Sequence, residues 1–194
     1  MSLWCSNIVL TRVQQNRLIQ NSRTGRVLGS LKGAETNKRK KEDTIKLYES
    51  QGVRDISILS DRDILILGIA LYWAEGSKKY KLSFINSDPA MILFMYNWFQ
   101  KSMGVKKNDL IPRVFINEIH KPRIKKVLAY WSKHLGVPRH QFGNPVFNRV
   151  KQKKVYVNHD NYYGMLALRI KHSTHLLYRI TGLIRAIQVL NYKV

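Results

Sequence analysis

The chain contains a single cysteine and few acidic residues. Only 12 of its 194 residues are Asp or Glu, against 34 Lys or Arg, so the formal net charge is +22 at pH 7. One cysteine, Cys5, excludes an internal disulfide or a cysteine-based zinc cluster and favours a reducing compartment. The longest apolar run, residues 64–74, is too short to span a bilayer, and no secretory signal is recognisable. We therefore expect a cytoplasmic protein, nucleoid-associated if prokaryotic, with no membrane partner.

The positive charge predicts a nucleic-acid partner. A charge this far from zero repels itself unless a polyanion neutralises it, and cations placed on a duplex gain free energy by releasing counterions. A merely solvated basic surface is the alternative. Hydrophobic residues make up 44% of the chain, which is enough for a core. The length suits one domain with an appendage.

The first 60 residues differ from the rest. We predict a basic, mostly helical N-terminal arm or linker over residues 1–60 and an α+β domain over residues 61–194. Helical patterns occur at residues 12–19 and 38–50, and Gly25, Gly29 and Gly33 loosen the segment between them. The basic run at residues 38–41 is either a phosphate-contacting arm or a solvated helix start; the sequence leaves both open.

From Asp61 onward the pattern is mixed. Apolar residues at three and four spacing predict helices over residues 63–75, 89–103, 122–135 and 175–190. Alternation predicts strands over residues 80–86, 110–118, 146–157 (a hairpin or a broken strand) and 163–171. Helices packed on an antiparallel sheet would give an α+β domain.

Three predicted strands have one apolar and one polar, mostly basic side. The apolar side of the first strand carries Leu82 and Phe84, and its other side carries Lys81 and Ser83. In the second strand the apolar side carries Val114 and Ile116, and the other side carries Arg113, Phe115 and Asn117. In the last strand the apolar side carries Leu166, Leu168 and Ile170, and the other side carries Tyr163, Met165, Arg169 and Lys171. A half-solvated sheet alternates in the same way. Because the outward charges are nearly all positive, we predict that this side binds DNA. The predicted contacts are Lys78, Lys79, Lys81, Ser83, Arg113, Asn117, Arg149, Lys151, Lys153, Lys154, Arg169 and Lys171.

The segment Gly68–Ser77 carries the most specific pattern. Ala70 and Ala74 lie four residues apart, so they share one helix face and allow another backbone to approach closely. Glu75 follows at the predicted helix end, just before Gly76. An acid at this position opposes the helix dipole, which favours a nearby cation over a plain surface turn.

The segment resembles the LAGLIDADG motif of homing endonucleases. Residues 68–76 align with it position by position: Ala70 stands for the motif glycine, Ala74 for its later alanine and Glu75 for its final acid. Trp73 departs from the motif's first aspartate. The resemblance implies a saddle-shaped antiparallel sheet on duplex DNA and the motif helix at a dimer seam. Ala70, Trp73 and Ala74 would then form the dimer interface.

The same resemblance implies metal-dependent phosphodiester hydrolysis. Glu75 would be the catalytic acid, and Glu75 with the Ala74 carbonyl would bind Mg²⁺ or another divalent cation. Magnesium often takes only one or two protein carboxylates, so two subunits could each contribute one. Gly182 and Ala186 repeat the small-residue spacing, but Ile187 stands where the acid should be. We therefore expect a homodimer with two-fold symmetry and a near-palindromic site.

Two other functions remain open. A non-catalytic transcriptional regulator could use the same scaffold, and an RNA-binding intron maturase could use the same basic sheet. Residues 2–11 resemble the end of a helix-turn-helix recognition helix with its linker, a unit that similar bacterial proteins carry in front. The preceding helices are absent from the sequence, and whether Met1 is the true start is open.

Other side chains point to structure. The six histidines lack the spacing of a zinc motif, and residues 158–161 are typical of a turn. We expect five helical aromatic residues in the core rather than stacked on bases: Tyr96, Trp98, Phe99, Tyr130 and Trp131.

Overall fold

The computed structural model describes residues 9–79, 81–150 and 161–191. The chain divides into two compact units, of which the first ends at Ile58 and the second begins at Leu59. The predicted recognition-helix vestige at residues 2–11 lies mostly outside the described residues. Its last member, Thr11, caps the first helix.

The first unit contains one helix, α1 (Arg12–Ile56), of 45 residues. The Thr11 hydroxyl accepts from Gln14 N while the Gln14 side chain accepts from Thr11 N, which together form a capping box. We expected two short helices with a loosened segment between them, and this was wrong. A glycine costs a helix about 1 kcal/mol relative to alanine, and good helix formers surround Gly25, Gly29 and Gly33. No described residue of α1 is buried.

The second unit alternates helices and strands. Its elements are α2 (Asp61–Glu75), β1 (Ser83–Asn86), α3 (Pro89–Lys101), β2 (Leu110–Asn117), α4 (Ile124–Leu135), β3 (Gly143–Asn148), β4 (Met165–Ile170) and α5 (Thr174–Asn191). Short 3₁₀ helices cover Lys107–Asp109, Glu118–Arg123 and Arg139–Gln141. The predicted helices are confirmed, with starts and ends shifted by a few residues.

Local sequence sets the helix ends. Ser60 and Asp63 form a capping box at the start of α2. The Asp88 carboxylate accepts from Ala90 N at 2.8 Å at the start of α3, where Pro89 is the first helical residue. Gly136, with φ of 62°, ends α4 in the left-handed conformation that glycine adopts readily.

The four strands form one sheet in the order β1-β4-β2-β3. β4 is antiparallel to both β1 and β2, but β2 and β3 are parallel. The α+β class is confirmed, whereas the purely antiparallel sheet was wrong. The chain returns from the end of β2 through α4, so β3 runs in the same direction as β2. β3 begins at Gly143, earlier than predicted, and residues 151–157 of the predicted strand lie outside the described residues.

One face of the sheet packs against the helices of this unit. Phe84, Val114 and Leu168 of the strands lie in a common core with apolar residues of all four helices. Tyr96, Trp98, Phe99 and Trp131 are buried and Tyr130 is half-buried, as predicted. No described helix is both long and apolar enough to cross a membrane.

Candidate nucleic-acid interface

The other face of the sheet, the outer face, presents its side chains in rows across the strands. The register aligns Ser83, Arg169 and Ile111 in one row and Ile85, Ala167 and Arg113 in the next. Met165 and Phe115 form a third pair. The inward partners Phe84, Leu166, Leu168, Val114 and Ile116 are fully or almost fully buried. The predicted period of two in these strands is therefore confirmed.

No residue of the four described strands is Asp or Glu. Arg113 and Arg169 are the charged strand residues, and both are half-buried among their outer-face neighbours. The described strands thus present positive charge on their outer face without carboxylates of their own to neutralise it. Such a surface attracts polyanions.

Arg113 is held in place by two contacts. Its Nε donates to the Asn144 carbonyl at 2.7 Å, and its Cζ lies 6.0 Å from the centroid of the Phe115 ring. The second contact has the geometry of a cation–π interaction. Both contacts reduce the rotamer freedom that the side chain would lose on binding a partner.

Arg169 lies in the strand β4, which has neighbours on both sides. Its register partners are Ser83 of β1 and Ile111 of β2. Arg169 takes part in no ion pair with another described residue. Its charge is therefore available to an anion.

Two more of the predicted DNA contacts flank the outer face. Lys81 and Lys171 are exposed beside β1 and β4. Lys78 and Lys79 are exposed in the segment between α2 and β1, and Lys78 lies on the side of α5, where it shares a pocket with Thr181 and Arg185. The backbone at Ser83 is fixed, because its carbonyl accepts from Ser77 N at 2.9 Å.

Asn117 and Arg149 have local partners. Asn117 is 8% exposed. Its Nδ2 donates to the Val150 carbonyl at 2.7 Å and its Oδ1 accepts from Ile119 N at 3.1 Å. These bonds give Asn117 a capping role at the end of β2. Arg149 Nε lies 3.3 Å from Glu118 Oε2. Lys151, Lys153 and Lys154 lie outside the described residues.

Glu75 is the last residue of α2 and is exposed. The next residue, Gly76, forms an antiparallel bridge with Phe84, and Ser77 N bonds to the Ser83 carbonyl. Ser83 is in turn the register partner of Arg169. The carboxylate of Glu75 is thus carried at the end of a helix joined directly to the β1 edge of the sheet.

The turn after Glu75 requires glycine and a buried tyrosine. A Cβ at Gly76 would lie 2.4 Å from the Tyr72 carbonyl oxygen, closer than real Cβ contacts. The Tyr72 hydroxyl donates to the Ser77 carbonyl across this turn. Tyr72 is buried, and burial raises its pKa to about 12. Two contacts of Tyr72 therefore fix the backbone on which Glu75 sits.

One chain offers few ligands for a metal ion. Among the residues that the structure describes, no group of three or more His, Cys, Asp or Glu side chains is close enough to bind one. Glu75 supplies one hard oxygen ligand, and the Ala74 carbonyl belongs to the last helical turn, where carbonyls have no intrahelical partner. This donor set fits Mg²⁺ only where phosphate, water or a second chain completes the shell.

Helix α2 has an apolar face that the second unit leaves uncovered. Ala70 and Ala74 are both exposed, and Trp73 is half-buried against the core. Ile66 and Leu67, at 43% and 41% exposure, continue the same face towards the start of the helix. We name the exposed residues Ile66, Leu67, Ala70 and Ala74 the α2 strip. Ile66 and Leu67 were not predicted as part of this face, although their spacing from Ala70 could have indicated them.

His120 and His134 contact other residues of the second unit. His120 is buried beside Tyr162, with the ring centroids 5.7 Å apart, and also contacts Arg123. His134 Nε2 lies 2.9 Å from the Pro89 carbonyl. Among the described residues, neither belongs to a group of three or more His, Cys, Asp or Glu side chains that could hold a metal ion.

No protein-family model, curated protein or solved structure matches this chain. The resemblance of residues 68–76 to the LAGLIDADG motif therefore stands on those residues alone. The function of the chain has to be inferred from the geometry of the outer face and of Glu75.

Proposed function

We propose that this chain is a metal-dependent endonuclease of double-stranded DNA, of the LAGLIDADG homing type, acting as a homodimer. One observation carries the proposal. A sheet whose described strands carry two arginines and no Asp or Glu on their outer face is joined at its β1 edge to a helix that ends in an exposed acid, Glu75.

The outer face supports duplex binding. Arginine and lysine neutralise phosphates and release counterions, and arginine also reads guanine in the major groove. Arg113 and Arg169 lie in adjacent rows on adjacent strands, and Lys81 and Lys171 extend the charge beyond them. The apolar neighbours Ile85, Ile111, Phe115 and Met165 could contact sugars and thymine methyl groups.

Glu75 supports hydrolysis. A divalent cation held there would supply a bound hydroxide and stabilise charge on the phosphate. The chain's own part is to hold the carboxylate in place through the Tyr72 and Gly76 contacts. Lys78 and Lys79 follow in the sequence and could stabilise charge on the same phosphodiester.

The α2 strip supports a homodimer. A single acid per chain is too little for a two-metal site, and a second copy would bring another Glu75. Alanines at positions 70 and 74 leave room for a close crossing of two α2 helices, and Ile66 and Leu67 add apolar area.

The test is cleavage of a randomised duplex library with and without Mg²⁺, with bound fragments and cut ends both sequenced. Wild type would run beside Glu75→Gln and a matched control, Asp61→Asn, at the exposed opposite end of α2. We expect all three proteins to enrich the same near-palindromic sequences, and only wild type and Asp61→Asn to cut them.

Each other result has a clear meaning. Normal cutting by Glu75→Gln would show that the acid is not catalytic. Enrichment without cutting by any variant would favour the DNA-binding regulator. Unlabelled structured RNA and unlabelled duplex DNA can each be added as competitors for the bound library. If the RNA displaces the library at a lower concentration than the DNA does, the result would favour the maturase.

A further inference from the structure

A basic cleft of about 380 Å³ lies at the end of β4, where the chain turns into α5. Its polar lining consists of Lys81, Arg169, Lys171, His172, Ser173 and Thr174. No Asp or Glu is among the described residues that line it. Arg169 belongs both to this cleft and to the outer sheet face.

The register brings like charges together in this cleft. Ser83 pairs with Arg169, and Ile170 N donates to the Leu82 carbonyl at 3.2 Å. Continuing this antiparallel register places Lys81 opposite Lys171. Like charges directly opposite one another destabilise a strand pair. None of the cleft's lysines and arginine forms an ion pair with another described residue. The neighbour of Lys171 on its other side is Asp109, whose carbonyl accepts from Lys171 N at 3.0 Å and whose carboxylate forms no ion pair with this lysine.

The turn that completes the cleft contains a residue with positive φ. His172 has a φ of 46°, a value uncommon for residues other than glycine, although histidine adopts it more often than most. The next residue, Ser173, is buried, and its Oγ accepts from Leu82 N at 3.4 Å, which ties the turn to the segment preceding β1. Residues held in such conformations concentrate at binding sites.

We propose that this cleft binds a phosphate group, and that in the DNA complex it holds one backbone phosphate at the margin of the outer face. The role in the DNA complex rests on the proposed function, whereas phosphate binding by the cleft does not. An arginine fork can bind phosphate in a bidentate manner, lysines add point charges, and Ser173 and Thr174 carry hydroxyl donors. A bound phosphate would also offset the repulsion between Lys81 and Lys171.

The first arm of the test uses inorganic phosphate and ¹⁵N-labelled full-length protein. Phosphate is titrated against chloride at matched ionic strength while the backbone amide signals are recorded. We expect saturable shifts at residues 169–174. Lys171→Gln should weaken the phosphate affinity about tenfold, the effect of losing one charge-assisted hydrogen bond. The exposed Lys125→Gln on α4 is the matched control and should leave the affinity unchanged. If the shifts do not saturate, or if both variants lose phosphate affinity equally, the proposal that this cleft binds phosphate is wrong.

The second arm identifies the source of the phosphate. Binding of a fluorescent duplex is measured by anisotropy from low to moderate salt, without divalent cation, so cleavage plays no part. Lys171→Gln should lower the slope of log affinity against log salt by about 0.9, the value for one phosphate contact, and Lys125→Gln should not. An unchanged slope with an intact first arm would make the ligand a free phosphate instead. If the wild type binds phosphate but no duplex, the cleft stands and the proposed DNA function fails.

Discussion

Gly68 of α2 lies against the indole of Trp98 in α3. A Cβ added at Gly68 would be 2.1 Å from Trp98 Nε1, so only glycine lets the two helices approach this closely. Trp98 is buried, and its Nε1 has no hydrogen-bond partner among the described residues. The indole therefore contributes through packing, and the contact fixes the position of the helix that ends in Glu75.

Gly68→Ala should destabilise the second unit. The methyl group must displace a core tryptophan, and overpacking of this kind costs about 1–3 kcal/mol, more than the 0.5–1 kcal/mol that alanine adds in helix propensity. Gly182→Ala in α5 is the matched control, because a Cβ there meets nothing within 4 Å. Urea unfolding followed by tryptophan fluorescence should show a lower midpoint for Gly68→Ala and an equal or higher one for Gly182→Ala. Equal midpoints in the two variants would contradict the contact.

Ala70→Leu should weaken self-association. A leucine in the middle of the α2 strip prevents the close crossing that alanine allows. Ala186→Leu is the control, since Ala186 is also exposed and has the same spacing from Gly182 that Ala74 has from Ala70. Sedimentation velocity should show wild type and Ala186→Leu as dimers and Ala70→Leu shifted towards monomer. A dimer that survives Ala70→Leu would place the interface elsewhere.

Arg169→Ala and Arg113→Lys should weaken duplex binding in different ways. Arg169→Ala removes a charge, so the salt slope should fall by about 0.9. Arg113→Lys keeps the charge but loses the fork that bonds to Asn144, so affinity should drop while the slope stays the same. Anisotropy titrations at several salt concentrations separate the two effects. Unchanged affinity in both variants would remove the outer face from the interface.

The stability of the second unit should fall at alkaline pH through Tyr72. The unfolded side chain titrates near 10.0, whereas burial raises the folded pKa to about 12. Above pH 10 the unfolded state releases this proton before the folded state does, so the free energy of unfolding decreases as pH rises towards 12. The loss should be at most about 3 kcal/mol, from 1.36 kcal/mol for each of the two pKa units.

Tyr72→Phe provides the comparison for this pH dependence. The variant should be less stable at neutral pH by about 1 kcal/mol, because the Ser77 carbonyl loses its donor. Between pH 10 and 12 its stability should then fall less steeply than that of the wild type. Parallel curves for the two proteins would show that Tyr72 does not titrate as its burial predicts.

The sequence predicted which side chains of each strand are buried better than it predicted how the strands pair. Alternation in β2 and β4 identifies the inward residues, since it depends only on each strand's own period of two. The parallel pairing of β3 with β2 was missed because that period says nothing about a strand's neighbour. The cleft was missed for the same reason: Lys81 and Lys171 are far apart in sequence and meet only through the register of β1 with β4.

The sequence predicted where α2 ends, but it did not predict the hydrogen bonds of Asn117 or the length of α1. Glu75 before Gly76 marks a helix end in the sequence, and α2 does end there. By contrast, the bond from Asn117 Nδ2 to the Val150 carbonyl joins residues 33 positions apart in the sequence, so no local pattern indicates it. The length of α1 was also missed, because we gave its glycines more weight than the helix-forming residues around them.

The strand order has a consequence for synthesis. β4 leaves the ribosome after the other described strands, yet it lies between β1 and β2 and is the only described strand that pairs with β1. Until residues 165–170 have emerged, β1 has no partner among the other described strands and Arg113 has no β4 residue beside it. A nascent or truncated chain that stops before β4 would carry the positive charge of α1 without the strand that joins β1 to β2. Such a fragment could attract polyanions, but it could not present Arg113 and Arg169 side by side.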